Sequence, residues 1–201
     1  MNVVPVTLDG RFVRLEPIEE RHRAGLRAVA DDTAVWQYSP VDDAGGPFDR
    51  WLDVWFDRSL AVHSNSAPRR EVVFVVRRKK DDRIVGSTRY LNIEPAHHRL
   101  EIGSTWYAAD ARGTHVNPEC KLLLMTHAFD ALGAYRVELK CDARNVTSRA
   151  AIAKLGAKEE GTLRRHMALG DGFVRDTVYF SVLDREWQGV RDGLVRRVQA
   201  V

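Results

Sequence analysis

Apolar and polar residues alternate along this chain with two different periods, and the periods predict both strands and helices. A turn signal at 8–11 precedes an alternating segment at 12–15, which predicts a first strand paired across that turn. From 18 to 29 the apolar residues recur every three to four positions, as on one face of a helix. The full set of predicted elements is strand 12–15, helices 18–29 and 47–56, strands 72–76, 84–93 and 100–107, helix 118–132, strand 135–141, helix 148–155, strands 161–169 and 174–183, and a helix from 184 to the end.

Acidic, glycine and proline residues mark several boundaries between these elements. Asp31-Asp32 is expected to end the first helix, and Gly45-Gly46-Pro47 to open the second. The turn at Gly170-Asp171-Gly172 is expected to join the last two strands. The order of strands and helices predicts an α/β (α+β) fold with a central mixed β-sheet flanked by helices.

No repeat or long linker divides the 201 residues, so the chain 1–201 is predicted to be a single domain. Its core would span about 8–188, with a helical tail at 184–201. The predicted second helix carries an apolar stripe of Phe48, Trp51, Leu52, Trp55 and Phe56. This stripe has two interpretations: the aromatic rings belong to the core, or Trp51 or Trp55 lines a substrate cleft.

The composition is that of a soluble globular protein, with 44% hydrophobic and 29% charged residues and a net charge of +3. The basic run 77–80 is followed at once by Asp81-Asp82, so the charge pattern does not favour a nucleic-acid partner. No apolar run has the roughly 20 residues that a membrane span needs, and no signal-like segment opens the chain. A cytoplasmic protein without a membrane partner is therefore expected.

Cysteine and histidine spacing gives no indication of a metal site. Cys120 and Cys141 form no CxxC pair and no cluster with histidine, and both are expected to be reduced thiols. No pair of histidines has a convincing ligand spacing with a carboxylate. The prediction is a protein without a bound metal.

Two segments join a strand to a helix in a way that can support ligand binding. The first is the loop 112–117, where backbone N–H groups at a helix N-terminus and the charge of Arg112 could face an anion such as a pyrophosphate. The second is the segment 145–157, which begins with the polar residues Asn145, Thr147 and Ser148. The alternatives are an ordinary connection with a solvated Arg112 in the first segment and plain helix capping in the second.

Taken together, the motifs resemble the GNAT acetyltransferase superfamily and, within it, the RimJ/RimL-like branch. The matching segments are the opening strand 8–15, the central strand at 101–103, the loop 112–117, the second motif at Asn145, 148–149 and 155–157, and the closing hairpin at 160–161, 175–176 and Tyr179. The resemblance covers about residues 8–188. It implies the acyl-CoA N-acyltransferase fold and an enzyme that moves an acetyl group from acetyl-CoA directly to a primary amine.

The resemblance also implies which residues bind and react. The cofactor-binding residues would be Thr105, Tyr107, Arg112, Gly113, Thr114, His115, Val116, Asn117, Asn145, Ser148 and Arg149. The acceptor would be a protein N-terminus or a small-molecule amine, and a homodimer is left open. Glu101 is the candidate base, and the β-bulge of the central strand, which would supply the oxyanion donor, is expected near 104–107.

Three positions depart from the usual pattern. His115 and Asn117 occupy positions where the loop usually has glycine, and bulky residues there hinder close approach to a phosphate. Ile152 stands where many members have a proton-donating tyrosine, which leaves Ser148 or a water to protonate the leaving sulfur. These departures keep open a second hypothesis, a non-catalytic acyl-CoA-binding or regulatory domain of the same fold.

The two candidate catalytic residues also have structural alternatives. Glu101 could instead form an ion pair with a nearby arginine such as Arg99 or Arg89. Ser148 could serve only as a helix cap. The positions of these side chains in the structure bear on both alternatives.

Overall fold

The chain folds around an eight-stranded β-sheet. The computed structural model describes residues 1–30, 36–38, 48–64, 70–169 and 172–200. The strands are β1 (Leu8–Asp9), β2 (Val13–Pro17), β3 (Val72–Arg78), β4 (Arg83–Glu94), β5 (Arg99–Tyr107), β6 (Arg136–Asp142), β7 (Lys158–Ala168) and β8 (Val174–Leu183). Their order across the sheet is β1-β2-β3-β4-β5-β6-β8-β7. The helices are α1 (Arg23–Arg27), α2 (Phe48–Ser64), α3 (Val116–Thr126), α4 (Val146–Ala153) and α5 (Asp184–Gln199).

One pair of neighbouring strands is parallel, and it creates the main irregularity of the sheet. The chain leaves β5, passes through α3 and returns as β6 beside β5, the crossover that parallel pairing requires. Their register joins Arg99–Glu101 to Arg136–Glu138 and ends there. Residues 102–107 of β5 and 139–142 of β6 therefore separate, which opens a cleft in the middle of the sheet.

Both faces of the sheet are covered by helices. Val72, Phe74 and Val76 of β3 belong to a core cluster that includes residues of α3 and α5. Val73 and Val75 point the other way, into a second cluster with residues of α1 and α2. Because successive strand residues alternate between faces, a run of five apolar residues is what a strand buried on both faces requires.

The predicted mixed sheet with flanking helices is confirmed, but several helices differ from prediction, among them α2, which runs to Ser64 instead of 56. The predicted first helix is only α1 preceded by a 3₁₀ turn at Glu20–His22, although three of the four residues of its predicted face are buried: Ile18, His22 and Leu26 but not Val29. The helix predicted over 118–132 is α-helical from Val116 to Thr126 and continues as a π-helical turn at His127–Ala131. Near this change the Tyr90 hydroxyl donates to the Leu124 carbonyl (2.6 Å), so a side chain of β4 competes for a helix acceptor.

Several expected features lie partly or wholly outside the described residues. These are the helix end at 31–32, the helix start at 45–47, the side chain of Trp51 and most of the turn at 170–172. Within α2, Leu52 and Phe56 are buried and belong to the core, whereas Trp55 is half-buried and borders it. The extent of the chain as one domain, 1–201, stays a prediction.

Candidate functional site

The strand β5 bends at the point where it leaves β6. Between two of its paired positions with β4, the two residues Ser104 and Thr105 lie opposite the single residue Thr88. Ser104 has φ 48°, a left-handed conformation that is uncommon outside glycine. The bulge expected near 104–107 is therefore present, and it lies at the cleft.

Glu101 lies at the last paired position before the cleft, and its side chain is 1% exposed. Its Oε2 accepts a hydrogen bond from Asn92 Nδ2 (2.8 Å) and forms an ion pair with Lys140 Nζ (3.0 Å). Its Oε1 is buried and has no hydrogen-bond partner among the described residues. A Cβ at Gly103 would lie 2.8 Å from that oxygen, so the glycine keeps the space beside the carboxylate open.

The alternative of an ion pair for Glu101 is met by Lys140 and not by Arg99 or Arg89. Arg99 pairs with Glu138 (Nη1 to Oε2, 3.5 Å), and Arg89 pairs with Glu71 (Nη1 to Oε2, 3.0 Å). The cation that pairs with Glu101 is Lys140 of β6, the neighbouring parallel strand. The sequence alone does not show that β6 lies beside β5. Lys140 and Asn92 are thus parts of the site that the sequence analysis missed, and no local pattern marks either of them.

The loop 112–117 connects β5 to α3, as expected. The Thr114 hydroxyl donates to the Ala111 carbonyl (2.7 Å) and accepts from the Val116 amide (3.2 Å). Pro118 has no N–H, so the first turn of α3 offers fewer free donors than an average helix N-terminus. Gly113 has φ 71° with open space around it, which suits a loop that must turn sharply near a ligand.

Three side chains of this region are held by local contacts. Arg112 is exposed at the loop, with its Nε donating to the Tyr107 carbonyl (2.9 Å). Tyr107 itself is buried, its hydroxyl donates to Asn117 Oδ1 (3.2 Å), and burial raises its pKa well above the usual value. The His115 ring packs on Phe12 with 4.2 Å between ring centroids. Any contact of Tyr107 with a cofactor would thus use its backbone.

The second motif is placed at the N-terminus of α4. Asn145 Oδ1 accepts a hydrogen bond from the Ser148 amide (2.9 Å), so Asn145 is the helix cap. The Ser148 side chain is hydrogen-bonded to the Cys141 thiol. Burial raises the pKa of this thiol, and the hydrogen bond with Ser148 offsets part of that rise. Arg149 forms an ion pair with Glu159 of β7 (3.2 Å). Ser148 is thus half-buried beside β6, the strand that borders the cleft.

Thr105 joins the bulge to a buried lysine. Its Oγ1 lies 2.7 Å from Thr88 Oγ1 and accepts from Lys121 Nζ (2.9 Å). Lys121 is 5% exposed, and burial lowers its pKa from 10.5 to about 8. The buried Lys121 ammonium therefore holds the bulge in place through its hydrogen bond to Thr105.

We expect Lys121 to make the stability of the fold depend on alkaline pH. The unfolded chain keeps the lysine proton up to about 10.5, whereas the folded state loses it above about 8. Between these values the unfolded state binds more protons at this lysine, so its contribution to the free energy of unfolding should rise with pH by up to roughly 3 kcal/mol, while the buried Cys120, whose pKa is raised from 9.0 to about 12, acts in the opposite direction above about pH 9. Urea denaturation at several pH values, compared with Lys121→Met, isolates this rise.

The matched control is Lys80→Met, which removes an exposed lysine from the β3–β4 turn. Its pH dependence should follow the wild type. If Lys121→Met also follows the wild type across pH 8 to 10.5, the lysine does not change its protonation on unfolding in the way described.

A metal site and a membrane span are not part of this arrangement. The residues that the structure describes contain no group of three histidine, cysteine or carboxylate side chains able to hold a metal ion. Within the same residues, no helix combines the length and the apolar character needed to cross a membrane. Cys120 and Cys141 are both buried free thiols.

The cleft between two parallel strands, the bulge beside it and the loop at the α3 N-terminus are the features by which the fold can be classified. The family model for the acetyltransferase (GNAT) domain matches residues 13–158. The chain therefore belongs to the GNAT acetyltransferase family. The family and the fold that the motifs predicted are confirmed.

Individual relatives support the RimJ/RimL-like branch. The chain is 32% identical over 109 residues to the Bacillus subtilis (strain 168) protein named "Putative ribosomal N-acetyltransferase YdaF", a match that spans 54% of this chain and only 58% of that protein. A GCN5-related N-acetyltransferase from Brucella melitensis superposes with a TM-score of 0.86 and 28% identity, over 98% of this chain and 86% of that one. Mycobacterium smegmatis RimJ, solved in complex with CoA-disulfide, gives a TM-score of 0.80 and 25% identity, over 96% and 94% of the two chains.

Proposed function

We propose that this protein is an acetyl-CoA-dependent N-acetyltransferase that acts on a primary amine. The observation that carries the proposal is the buried Oε1 of Glu101, which lies without a partner where β5 leaves β6. Leaving a buried carboxylate oxygen without a hydrogen bond costs stability, so such an atom needs an explanation. A proton acceptor at the closed end of the cleft supplies one.

The residues around the cleft suit a long ligand that carries phosphates at one end. The backbone amides of 113–115 and 117, together with Arg112, would hold the pyrophosphate of coenzyme A. The unpaired edge of β5, from Thr105 to Tyr107, would hold the pantetheine arm, and Asn145, Ser148 and Arg149 would border it from α4. Bound there, acetyl-CoA supplies an acetyl group that is already activated as a thioester.

The residues of this chain would handle the protons. Glu101 Oε1 accepts the proton of the acceptor's ammonium group and leaves a neutral amine that can attack. The backbone N–H groups of β5 at the bulge would donate to the oxyanion that develops during transfer. Ser148 is the candidate donor of a proton to the leaving sulfur, because Ile152 is buried and has no proton to give.

A second candidate function is a non-catalytic acyl-CoA-binding domain. It is favoured by Ile152 and by His115, which lies in the phosphate loop and packs on Phe12. Release of coenzyme A from acetyl-CoA, measured with a panel of peptides and small amines, separates the two functions. Amine-dependent release is expected, whereas tight binding of acetyl-CoA without transfer to any primary amine would favour the second candidate.

We expect Arg112→Glu to weaken the binding of coenzyme A by at least about 10-fold, because the substitution places a negative charge beside the pyrophosphate. Pantetheine, which has no phosphate, should bind within about 2-fold of its wild-type affinity. Calorimetry with both ligands measures the difference. The control is Arg185→Glu, which makes the same charge change at an exposed position of α5. An equal loss for both ligands would place the phosphates elsewhere.

The acceptor amine is predicted to belong to a protein N-terminus or to a small molecule. A cytoplasmic location and a homodimer also stay predictions.

A further inference from the structure

A cavity of about 380 Å³ lies beside the loop 112–117, and the proposed transfer does not use it. The residues that line it are Arg11, Phe12, Arg78, Lys79, Lys80 and His115. We call it the basic cavity, because four of these six residues are cations and none is acidic. Three of the cations come from the basic run at 77–80. Like charges gathered around one concave surface attract an anion.

Two of the four cations have no carboxylate partner. Arg78 and Lys79 form ion pairs with nearby aspartates. Arg11 and Lys80 are exposed and form no ion pair with any residue that the structure describes. An anion with two negative charges would therefore balance the two cations that are left over.

The fold holds these cations in place before any ligand binds. Glu119 of α3 accepts the backbone amides of Arg11 (2.7 Å) and Phe12 (2.8 Å). Lys79 donates its own amide to the Phe12 carbonyl (2.8 Å) and its Nζ to the Gly10 carbonyl (2.8 Å). The β1–β2 and β3–β4 turns are thereby tied to each other and to the first turn of α3. A ligand would find the cavity already formed and would lose little affinity to the ordering of loops.

His115 connects the basic cavity to the loop 112–117. Its ring lines the cavity and packs on the Phe12 ring, and the Arg11 guanidinium lies over the same Phe12 ring, 4.6 Å from its centroid. His115 Nδ1 is buried and has no hydrogen-bond partner among the described residues, which is uncommon for a buried polar atom. A ligand held by the loop would thus extend past His115 toward Arg11 and Lys80.

Coenzyme A has a second phosphate group close to its pyrophosphate. The ribose that follows the pyrophosphate carries a phosphate monoester on its 3′ oxygen. Such a monoester has a charge of about −1.5 to −2 at pH 7, which matches the two unpaired cations. Because only one ribose separates the two phosphate groups, a ligand whose pyrophosphate lies on the loop brings the monoester close to the turns that adjoin the loop.

We propose that the basic cavity binds the 3′-phosphate of coenzyme A, with Arg11 and Lys80 as its charge partners and His115 as a hydrogen-bond donor at the edge of the loop. The chain would then distinguish coenzyme A from its 3′-dephospho form. His115 would bind the ligand at a position where the usual loop has glycine, instead of obstructing it. This inference rests on the proposed function, because it assigns the phosphate end of the same co-substrate.

Two ligands that differ only in this phosphate test the assignment. Coenzyme A carries it, and 3′-dephospho-coenzyme A has the same pantetheine and pyrophosphate without it. Calorimetry at low ionic strength should show that the wild type binds coenzyme A at least about 10-fold more tightly, because the monoester meets two otherwise unpaired charges. The preference should shrink at high salt, which screens charges at exposed positions.

Three substitutions remove one partner each. Arg11→Gln and Lys80→Gln remove a charge, and His115→Phe keeps a ring on Phe12 but has no ring nitrogen. Each should weaken the binding of coenzyme A by about 3-fold and change the binding of 3′-dephospho-coenzyme A by less than about 2-fold. The double variant with both glutamine substitutions should bind the two ligands equally.

The controls remove exposed cations elsewhere. They are Arg185→Gln on α5 and Lys158→Gln on β7, the strand at the opposite edge of the sheet from β1. Both should leave the preference unchanged, so an effect of net charge alone is separated from an effect of position. If His115→Phe fails to fold, the glutamine substitutions at the two exposed positions still decide the matter.

Phosphorus NMR locates the contact without depending on turnover. The 3′-phosphate and the pyrophosphate of coenzyme A give separate resonances, and the free monoester titrates with a pKa of about 6. In the complex with the wild type it should lose its proton at lower pH, because nearby positive charge favours the doubly charged form. In the double variant its titration should move back toward that of free coenzyme A.

The results separate this inference from the proposed function. Equal affinity of the wild type for both ligands, or a preference that survives in the double variant, would overturn the basic cavity as the phosphate site and leave the transferase intact. Absence of binding of either ligand would count against an acetyl-CoA-dependent enzyme, and the inference would fail with it. A preference that is lost in the double variant and kept in both controls supports the inference.

Discussion

Glu101→Gln should lower kcat/KM for amine acetylation by a factor on the order of 10² to 10⁴, because glutamine keeps the shape of the side chain but cannot accept the amine's proton. The affinity for acetyl-CoA should change little, since Glu101 is proposed to face the acceptor. Steady-state kinetics, together with calorimetric binding of acetyl-CoA, measures both quantities.

The control is Glu138→Gln on the strand beside it. Glu138 is the register partner of Glu101 in the parallel ladder and pairs with Arg99 and Arg136 instead of Lys140. Both variants remove a carboxylate from an ion pair, so both are expected to unfold at lower temperature than the wild type. Full turnover in Glu101→Gln with only a lower melting temperature would assign Glu101 a structural role.

Glu119→Ala should lower the free energy of unfolding by about 3–5 kcal/mol. The Glu119 carboxylate is buried and accepts three backbone N–H groups of the β1–β2 turn, from Arg11 (2.7 Å), Phe12 (2.8 Å) and Val13 (2.8 Å). Alanine would leave these three amides without an acceptor. Chemical denaturation measures the loss.

The control for this substitution is Glu159→Ala, which removes a half-exposed carboxylate that pairs with Arg149 at the sheet edge. Exposed pairs contribute little, so its loss should stay below about 1 kcal/mol. A similar small loss in Glu119→Ala would mean that water or a neighbouring group replaces the carboxylate at the turn.

The strands were predictable because their signals are local. The five apolar residues at 72–76 and the alternating segment at 174–183 correspond to β3 and β8 with little change in their bounds. Such patterns depend only on neighbouring residues and on which faces are buried. The mixed sheet and the flanking helices could therefore be predicted from this sequence alone.

The site was only partly predictable because its contacts join distant strands. Glu101 was identified as an unusual carboxylate in a strand, but its partners depend on the register of β4 and β6 against β5. Trp55 had two interpretations, core or cleft: its ring packs on Arg89 and Trp106 beside the second core cluster, and a place in a substrate cleft stays a prediction. The register is set by packing across the whole sheet, so no local pattern reveals it.

The early end of the β5–β6 ladder has a consequence for cooperativity. Three residue pairs join β5 to β6, whereas seven join β3 to β4 and seven join β6 to β8. The sheet thus consists of two well-bonded blocks joined by a short ladder, and on one face the core cluster that spans both blocks includes the Phe129–Trp187 ring stack (5.2 Å). Regions with few shared hydrogen bonds open first. A ligand lying between β5 and β6 would bridge the blocks, and its binding would make their unfolding more concerted as well as less favourable.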